Sequence, residues 1–444
     1  MTRLPETLLL ETPALTLEDS KRHLPFSFQC PAGVQALRLH WAFDPPGAGE
    51  LRTLITLSVQ GPGGFRGAGH RHGSSHEVEM TAYEATPGYL AGPILPGPWT
   101  VTLHAHLVMG HTSGTLRVTA VHGPEAAAPL QAAAPSPSPA LPASGWMRGD
   151  LHCHTRHSDG RWTPPELAAA ATRQGLSFLA LTDHNTVSGR DALAAAFPGV
   201  LLPGTELTTY HGHALVLGQQ AFPDWTRLEP QRGMAELARR VEAGGGYLVI
   251  AHPFAAGDPL CTGCAWTYFD LRPENATHLE VWNGPWDGRH NERALAYWYD
   301  LLGSGRRVVA TAGSDAHGPA YLPGVGFTCT PGTDDPAVLL TQLRAGRTYL
   351  SAGPELRLVC ASPQGPVSLG GTGAAGRWQG QLAWDDVPAG SELTWVVDGR
   401  RQPREIAESG TESFAFEVEG WLNLELRGAT GELLALTNPL YTRR

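Results

Sequence analysis

The hydrophobic positions change rhythm twice along the chain. From about Leu8 to Val121 they alternate with polar residues or run apolar with β-branched ones, as in "LRTLITLSV", "WTVTLHAHLVM" and "TLRVTAVHG". Gly/Pro clusters such as "GPGG" and "GPILPGP" punctuate the runs. This pattern predicts strands joined by turns, and a β-sandwich or jelly-roll-like domain over residues 1–123. The stretch "PEAAAPLQAAAPSPSPALPAS" follows, from Pro124 to Ser144. Its composition cannot bury a core, so residues 124–145 are expected to be a semi-extended linker.

From Trp146 strand-like and helical runs alternate. The strands are "MRGDLHCHT", "FLALTDHN", "VLLPGTEL", "HALVLG", "YLVIAHPF", "HLEVWNG" and "VVATAGSDAH". The helices are "PPELAAAATRQG", "RDALAAAF", "MAELARRVEAGG", "NERALAYWYDLLGSG" and "PAVLLTQLRAG". Pro164 and Pro165 suit a helix start, and Gly175, Gly244 and Gly303 suit helix ends. The alternation predicts a barrel-like α/β domain over residues 146–352. Residues 353–444 return to strands: "LRLVCAS", "WQGQLAW", "LTWVVDG", "FAFEVEG" and "LNLELRG". They predict a smaller, Ig-like β domain, and it contains no histidine.

The polar residues of the middle segment change this picture most. "GDLHCHTRHSDG", Gly149 to Gly160, places Asp150, His152 and His154 on one strand and Asp159 in the next turn. Asp183 and His184 end the second strand, Glu206 the third, His252 the fifth, and Asp315 with His317 the last. In a (β/α) barrel the carboxyl ends of the strands converge on one face. His213 begins its strand, so it reaches that face only if the strand runs antiparallel to its predecessor or a turn places it there. Side chains two apart on a strand point the same way, so His152 and His154 can share an ion. Mixed imidazole and carboxylate donors suit Mn, Zn or Fe(II). A carboxylate such as Glu206 can bridge two ions. Two further clusters, His104 with His106 and His70 with His72 and His76, lack convergent carboxylates. They are expected to be surface or loop histidines.

Composition narrows the classes. Over 444 residues, 42% hydrophobic and 17% charged, the formal net charge is −10. That disfavours nucleic-acid and anionic-membrane surfaces. No apolar span of about 18 residues and no signal peptide is read, so a cytoplasmic protein is expected. Lys21 is the only lysine and lies far upstream of the crowded segment, which disfavours Schiff-base chemistry. No G-x-S-x-G nucleophile elbow occurs. The six cysteines form no secreted framework. Cys261 and Cys264 form CxxC without a second pair and are expected to be a structural loop or lid element. Cys153, between the two strand histidines, is expected in the core.

The run "DLHCHTRHSDG…LALTDHN…PGTEL…HGHALVLG…IAHPF…GSDAH" resembles the PHP (polymerase and histidinol phosphatase) family of metallohydrolases. The features "GDPLCTGCAW", "LEVWNGPW", "RTYLSAGP" and "TNPLY" are similar to the subset related to the carbaryl hydrolase CehA and to McbA. The resemblance implies a distorted (β/α)7 barrel holding two or three divalent ions. His152, His154, Glu206 and Asp315 would hold the first ion. Asp159, His184 and His317 would hold the second, and Glu206, His213 and His252 the third. His211 competes with His213 for that place. Asp150 and Asp183 would orient ligand histidines or serve as strand-end hydrogen-bond acceptors.

The expected activity is hydrolysis by a hydroxide bridging the ions, with Asp315, His252 and His317 as catalytic residues. The resemblance implies a phosphoesterase acting on a small phosphomonoester or diester. A carbamate, ester or amide hydrolase is the alternative. A binding protein with a degenerate or regulatory site is a third reading. Polymerase-associated proofreading is disfavoured by the acidic balance. Asn283, with Trp282 and Trp286, is a candidate to line the substrate pocket. Arg289 and His290 are candidate anion binders, as are Arg156, His157 and Arg161. A small-molecule substrate is the expected partner, with no nucleic acid, no membrane, and a homo-oligomer left open.

Overall fold

A computed structural model describes residues 5–45, 47–48, 51–123, 145–220, 222–287 and 289–443. The expected linker lies almost wholly outside the described residues. The described residues form a mixed α/β molecule with five short α-helices and extensive β-sheet.

The N-terminal part is two antiparallel sheets. One carries Glu6–Glu11, Thr112–His122, Val34–Asp44 and Ser75–Thr81, and the other Arg22–Cys30, Gly97–Leu107, Leu54–Gly61 and Gly64–Gly69. Alternate residues of these strands, among them Leu37, Trp41, Leu57, Trp99 and Leu116, fill one apolar cluster between the sheets. "LRTLITLSV" breaks into two strands, Leu51–Arg52 and Leu54–Gly61.

Every strand expected in the middle segment forms. In chain order they are Trp146–Cys153, Phe178–Leu181, Val200–Thr208, His213–Leu217, Tyr247–Ile250, His278–Asn283 and Val309–Gly313, followed by Phe327–Pro331. They lie side by side, with Phe327–Pro331 beyond the first. The first three pair in parallel, as do the fifth, sixth and seventh. The fourth runs antiparallel to both neighbours, with Thr208 opposite His213. That antiparallel strand brings His213 to the same end as Glu206. The first strand meets the segment that follows Val309–Gly313 through a parallel bridge, Cys153 with Ala316.

Local chemistry explains where the helices begin and end. The first, Pro164–Arg173, starts behind Thr163, whose hydroxyl accepts from the Glu166 amide while the Glu166 carboxylate returns to the Thr163 amide. Pro164 occupies the first turn, where its missing N–H costs nothing. Gly175 beyond its end takes φ +68°, and Gly244 caps the helix Met234–Ala243.

The C-terminal strands form a second two-layer β unit. One of its sheets is continuous with the middle one. Tyr349–Ser351 bonds to Phe327–Pro331 on one side and to Leu433–Thr437 on the other. One apolar cluster likewise runs from Leu167 and Phe327 through Tyr349 into Trp378 and Trp395. No helix among the described residues is long and apolar enough to cross a membrane.

Candidate metal centre

The carboxyl ends of the middle strands gather three groups of donor atoms. His152, His154, Glu206 and Asp315 form the first, His154, Asp159, His184 and His317 the second, and His184, Glu206 and His213 the third. The first matches the expected set. The second gains His154, which lies between both. In the third His184 stands where His252 was expected. His252 still adjoins it, its Nε2 3.1 Å from Glu206 Oε1. His211 belongs to none of the groups and packs on Tyr268.

Glu206 is the hub. Its Oε2 lies 3.1 Å from His152 Nε2, 3.3 Å from His154 Nε2 and 3.0 Å from His184 Nδ1. Its Oε1 lies 2.9 Å from His213 Nδ1. Asp315 Oδ1 is 3.0 Å from His154 Nε2 and 3.3 Å from His152 Nε2. Asp159 Oδ1 is 3.2 Å from His317 Nε2 and 3.4 Å from His184 Nε2. His252 and Asp315 hold these positions at φ +27° and +50°, a region side chains other than Asn and Asp seldom adopt.

The donor set fits divalent ions. The Nδ1–H of His152 donates to Glu280 Oε1 at 2.9 Å, and that of His317 to the Asp315 carbonyl at 2.8 Å. The His252 Nδ1–H donates to the Cys264 carbonyl at 3.2 Å. Each bond turns the Nε2 lone pair toward carboxylate oxygen, a repulsive arrangement unless positive charge lies between them. Both ring nitrogens of His154, Nε2 of His213, and Oδ1 of Asp159 and Asp315 are buried without a hydrogen-bond partner. Such orphaned atoms are costly unless something satisfies them.

Electrostatics points the same way. Burial alone would raise the Glu206 carboxyl, yet His184, His152 and His213 hold it well below the usual range. The same competition leaves Asp159 and Asp315 well below theirs. Burial opposes charge on His252, but Glu206 and then Asp315 raise it to about 9. His317 rises to about 10 against burial through Asp159 and Asp315. Without ions the cluster draws protons to offset its buried carboxylates.

Several expected roles shift. Asp150 accepts from the backbone amides of His152, Ser314 and Gly324, not from a ligand imidazole. Asp183 accepts from Thr155 N and Oγ1 and from Ser158 Oγ, bracing the turn before Asp159. Of the two readings left open, strand-end acceptor is the one the geometry supports. The carboxylate that orients a candidate ligand ring is Glu280, which the sequence reading missed. It also accepts from the His252 amide at 2.9 Å. The signal was a lone acid inside the buried run "HLEVWN".

Asn283 reaches the centre, with Nδ2 3.1 Å from Glu280 Oε2 and 3.4 Å from Asp315 Oδ2. Trp282 is buried and donates to Gly284 O, and Trp286 donates to Glu292, so both serve packing. Arg289 and His290 do not join the cluster. Arg289 precedes the helix His290–Gly303, and His290 lies 3.3 Å from Asp287. Cys261 and Cys264 are disulfide-bonded in a loop at the cavity rim, and the remaining cysteines are free and buried.

A cavity of about 390 Å³ opens over the centre. Its floor is Asp159, His184, Glu206, His213, His252, Asp315 and His317. The N-terminal domain forms an opposite wall, with Leu51, Arg52, Leu54, His70, His72 and Leu107, and the rim includes Pro259 and Leu260. A larger hollow of about 600 Å³, between Arg307, Arg400 and Trp421, contains none of the candidate ligands.

Of the N-terminal histidines expected at the surface or in loops, His72 is exposed in a loop, whereas His70, His76, His104 and His106 are buried. His104 and His106 are buried on their strand, bonded to Ser58 and Thr56. His76 is buried against Gly73 O. His70 stacks obliquely on His184, ring centroids 4.7 Å apart, and burial with His184 beside it keeps its imidazole well below the usual range. His72 lies 3.9 Å from Asp159. No periodicity within the first 123 residues reveals which face meets another domain.

Residues 150–225 match the PHP domain family. A 5'-3' exoribonuclease of Haemophilus influenzae is 38% identical over 104 residues, 21% of this chain and 38% of that protein. A 3',5'-nucleoside bisphosphate phosphatase of Chromobacterium violaceum is 41% identical over 70 residues, 15% of this chain and 25% of that protein. A Bacteroides vulgatus two-domain protein containing a predicted PHP-like metal-dependent phosphoesterase aligns over 70% of this chain and all of that one. It does so at 16% identity and a TM-score of 0.36.

Proposed function

With a PHP domain at the donor-rich strand ends as the premise, we propose that this chain is a metal-dependent hydrolase of a small phosphomonoester or phosphodiester. The observation that carries the reading is Glu206, shared by two of the three donor groups, at the floor of a cavity that Asp159, His213 and Asp315 also line. When bound there, divalent ions acidify water and offset charge on the oxygens being displaced. The mixed nitrogen and oxygen donors suit Mn, Zn or Fe(II), two or three to a chain.

The chain's own residues do the rest. Glu280 and the Cys264 carbonyl fix the tautomers of His152 and His252. His252 lies outside the three tight groups, so its Nε2 is the atom best placed to hold or move a proton. His317 stands at the mouth, its side chain 36% exposed, where a departing group would meet it. Asp315 belongs to the first group, and Asn283 braces it. The cavity volume suits a small molecule rather than a polymer. The two relatives are named for phosphoester chemistry, which supports attack at phosphorus.

One observation favours the carbamate or ester alternative. Leu54, Leu107 and Leu260 give the cavity an apolar side, and Leu260 is 78% exposed at the rim. The deciding experiment strips the protein and reloads it with Mn or Zn. It then compares p-nitrophenyl phosphate, bis-p-nitrophenyl phosphate, p-nitrophenyl acetate and a naphthyl carbamate. Turnover confined to the phosphates is expected. Turnover of the acetate or carbamate alone transfers the same centre to acyl hydrolysis.

A further inference from the structure

The N-terminal domain sits on the donor-rich face, and its docking bonds surround one histidine. Gly88 N donates to Ser188 Oγ at 2.9 Å, and Thr186 Oγ1 donates to Gly88 O at 2.6 Å. Gly88 takes φ +96°, and a Cβ there would lie 2.9 Å from the His157 carbonyl, so the approach needs glycine. Arg71 donates to the carbonyls of Arg156 at 3.1 Å and Ser158 at 3.4 Å, across the domain boundary. These partners belong to the turn that carries Asp159. The residue before Arg71 is His70.

His70 is 8% exposed and borders the cavity beside Asp159, His184 and His317. Its Nδ1 is buried with no hydrogen-bond partner. Behind it His106 packs edge-on at 5.0 Å, so the ring is held between two imidazoles. His70 is absent from the groups whose ligand atoms converge. His70 is thus an immobilised imidazole at the wall of a reaction cavity, with hydrogen-bonding capacity that the protein does not fill.

We propose that His70 is a substrate-contacting residue, a ring N–H donating to an oxygen of the ester held over the His184 side of the centre. The N-terminal domain is then half of the active site. This rests on the hydrolase reading above and adds a recognition group that the barrel segment alone lacks. An ester oxygen only accepts, so the contacting imidazole nitrogen is the one that carries the proton.

The test compares His70→Ala and His70→Asn with the wild type, full-length and loaded with Mn or Zn. Metal per chain, melting temperature, kcat and KM on the best ester of the panel, and the Kd of inorganic phosphate are measured. The expected result is unchanged metal content and a folded protein in both variants. In His70→Ala, kcat/KM falls roughly 10- to 100-fold and phosphate binds at least about tenfold more weakly, the loss typical of a hydrogen bond to a charged group. His70→Asn recovers part of both. A folded His70→Ala with wild-type kcat/KM and phosphate affinity overturns the proposal. So does loss of metal, which would make His70 a ligand. If only acyl esters turn over, the phosphoester reading falls and His70 is judged on the acyl kcat/KM. If no ester turns over, phosphate affinity decides, and an unaltered or absent affinity overturns the contact.

Discussion

Two buried carboxylates divide the work at the centre. Glu206 faces five imidazoles and the cavity, whereas Glu280 faces away from it, between His152 Nδ1, the His252 amide and Asn283. Glu280 therefore acts through His152. Glu280→Gln keeps the volume but removes the charge that holds the ring's proton at Nδ1. Metal affinity is expected to fall about 10- to 100-fold, as when a ligand's supporting partner is lost. The readout is residual metal after dialysis against a graded chelator, with the melting curve as a control for folding. Retention equal to the wild type would remove Glu280 from the centre. At this scale most of the candidate ligands were legible because they cluster in short motifs at or just beyond strand ends. Glu280 was not, because a single acid in an apolar strand looks the same whether it supports a ligand or a neighbouring helix. Arg289 and His290 misled by proximity: they follow Asn283 in sequence, but the turn into the next helix carries them off.

Strands, more than helices, set the geometry. Asp315 arrives because the Val309–Gly313 strand lies parallel to His278–Asn283 and then reverses its backbone at positive φ. Gly313 passes so close to His152 that a Cβ would collide with the His152 Cβ. Gly313→Ala is expected to cost about 1–3 kcal/mol through overpacking and to displace His152 from Glu206. A lower melting temperature together with weaker metal retention would bear this out. A fully stable variant with normal metal content would mean the strands separate freely there. Alternation and helix punctuation revealed each of these strands. The direction of His213–Leu217 was the open question, since a short apolar run reads the same parallel or antiparallel. Its short connection from Thr208 settles it, because a parallel crossover needs many more residues than separate Thr208 from His213.

At the scale of the whole molecule, both flanking β units reach the PHP segment, and neither contact was visible in local pattern. Domain docking depends on which faces meet, and periodicity reports only which face is apolar. The N-terminal unit closes the cavity. The C-terminal unit braces its edge through Asn438 of "TNPLY". Asn438 Oδ1 accepts from Ala310 N at 2.8 Å, and its Nδ2 donates to Ala310 O at 2.9 Å and to Thr348 Oγ1 at 2.7 Å. Ala310 lies on Val309–Gly313, which ends the sheet, so Asn438 takes the place of a further strand. Asn438→Ala would leave a buried amide and carbonyl unsatisfied, at a cost of about 2–4 kcal/mol. Asn438→Asp keeps the acceptor but sets a carboxylate oxygen against the Ala310 carbonyl, and should cost at least as much. Because Asp315 follows that strand by two residues, metal retention is expected to decline in the same order as melting temperature. If stability falls while metal retention stays at the wild-type level in both variants, the C-terminal unit supports the fold without setting the position of Asp315.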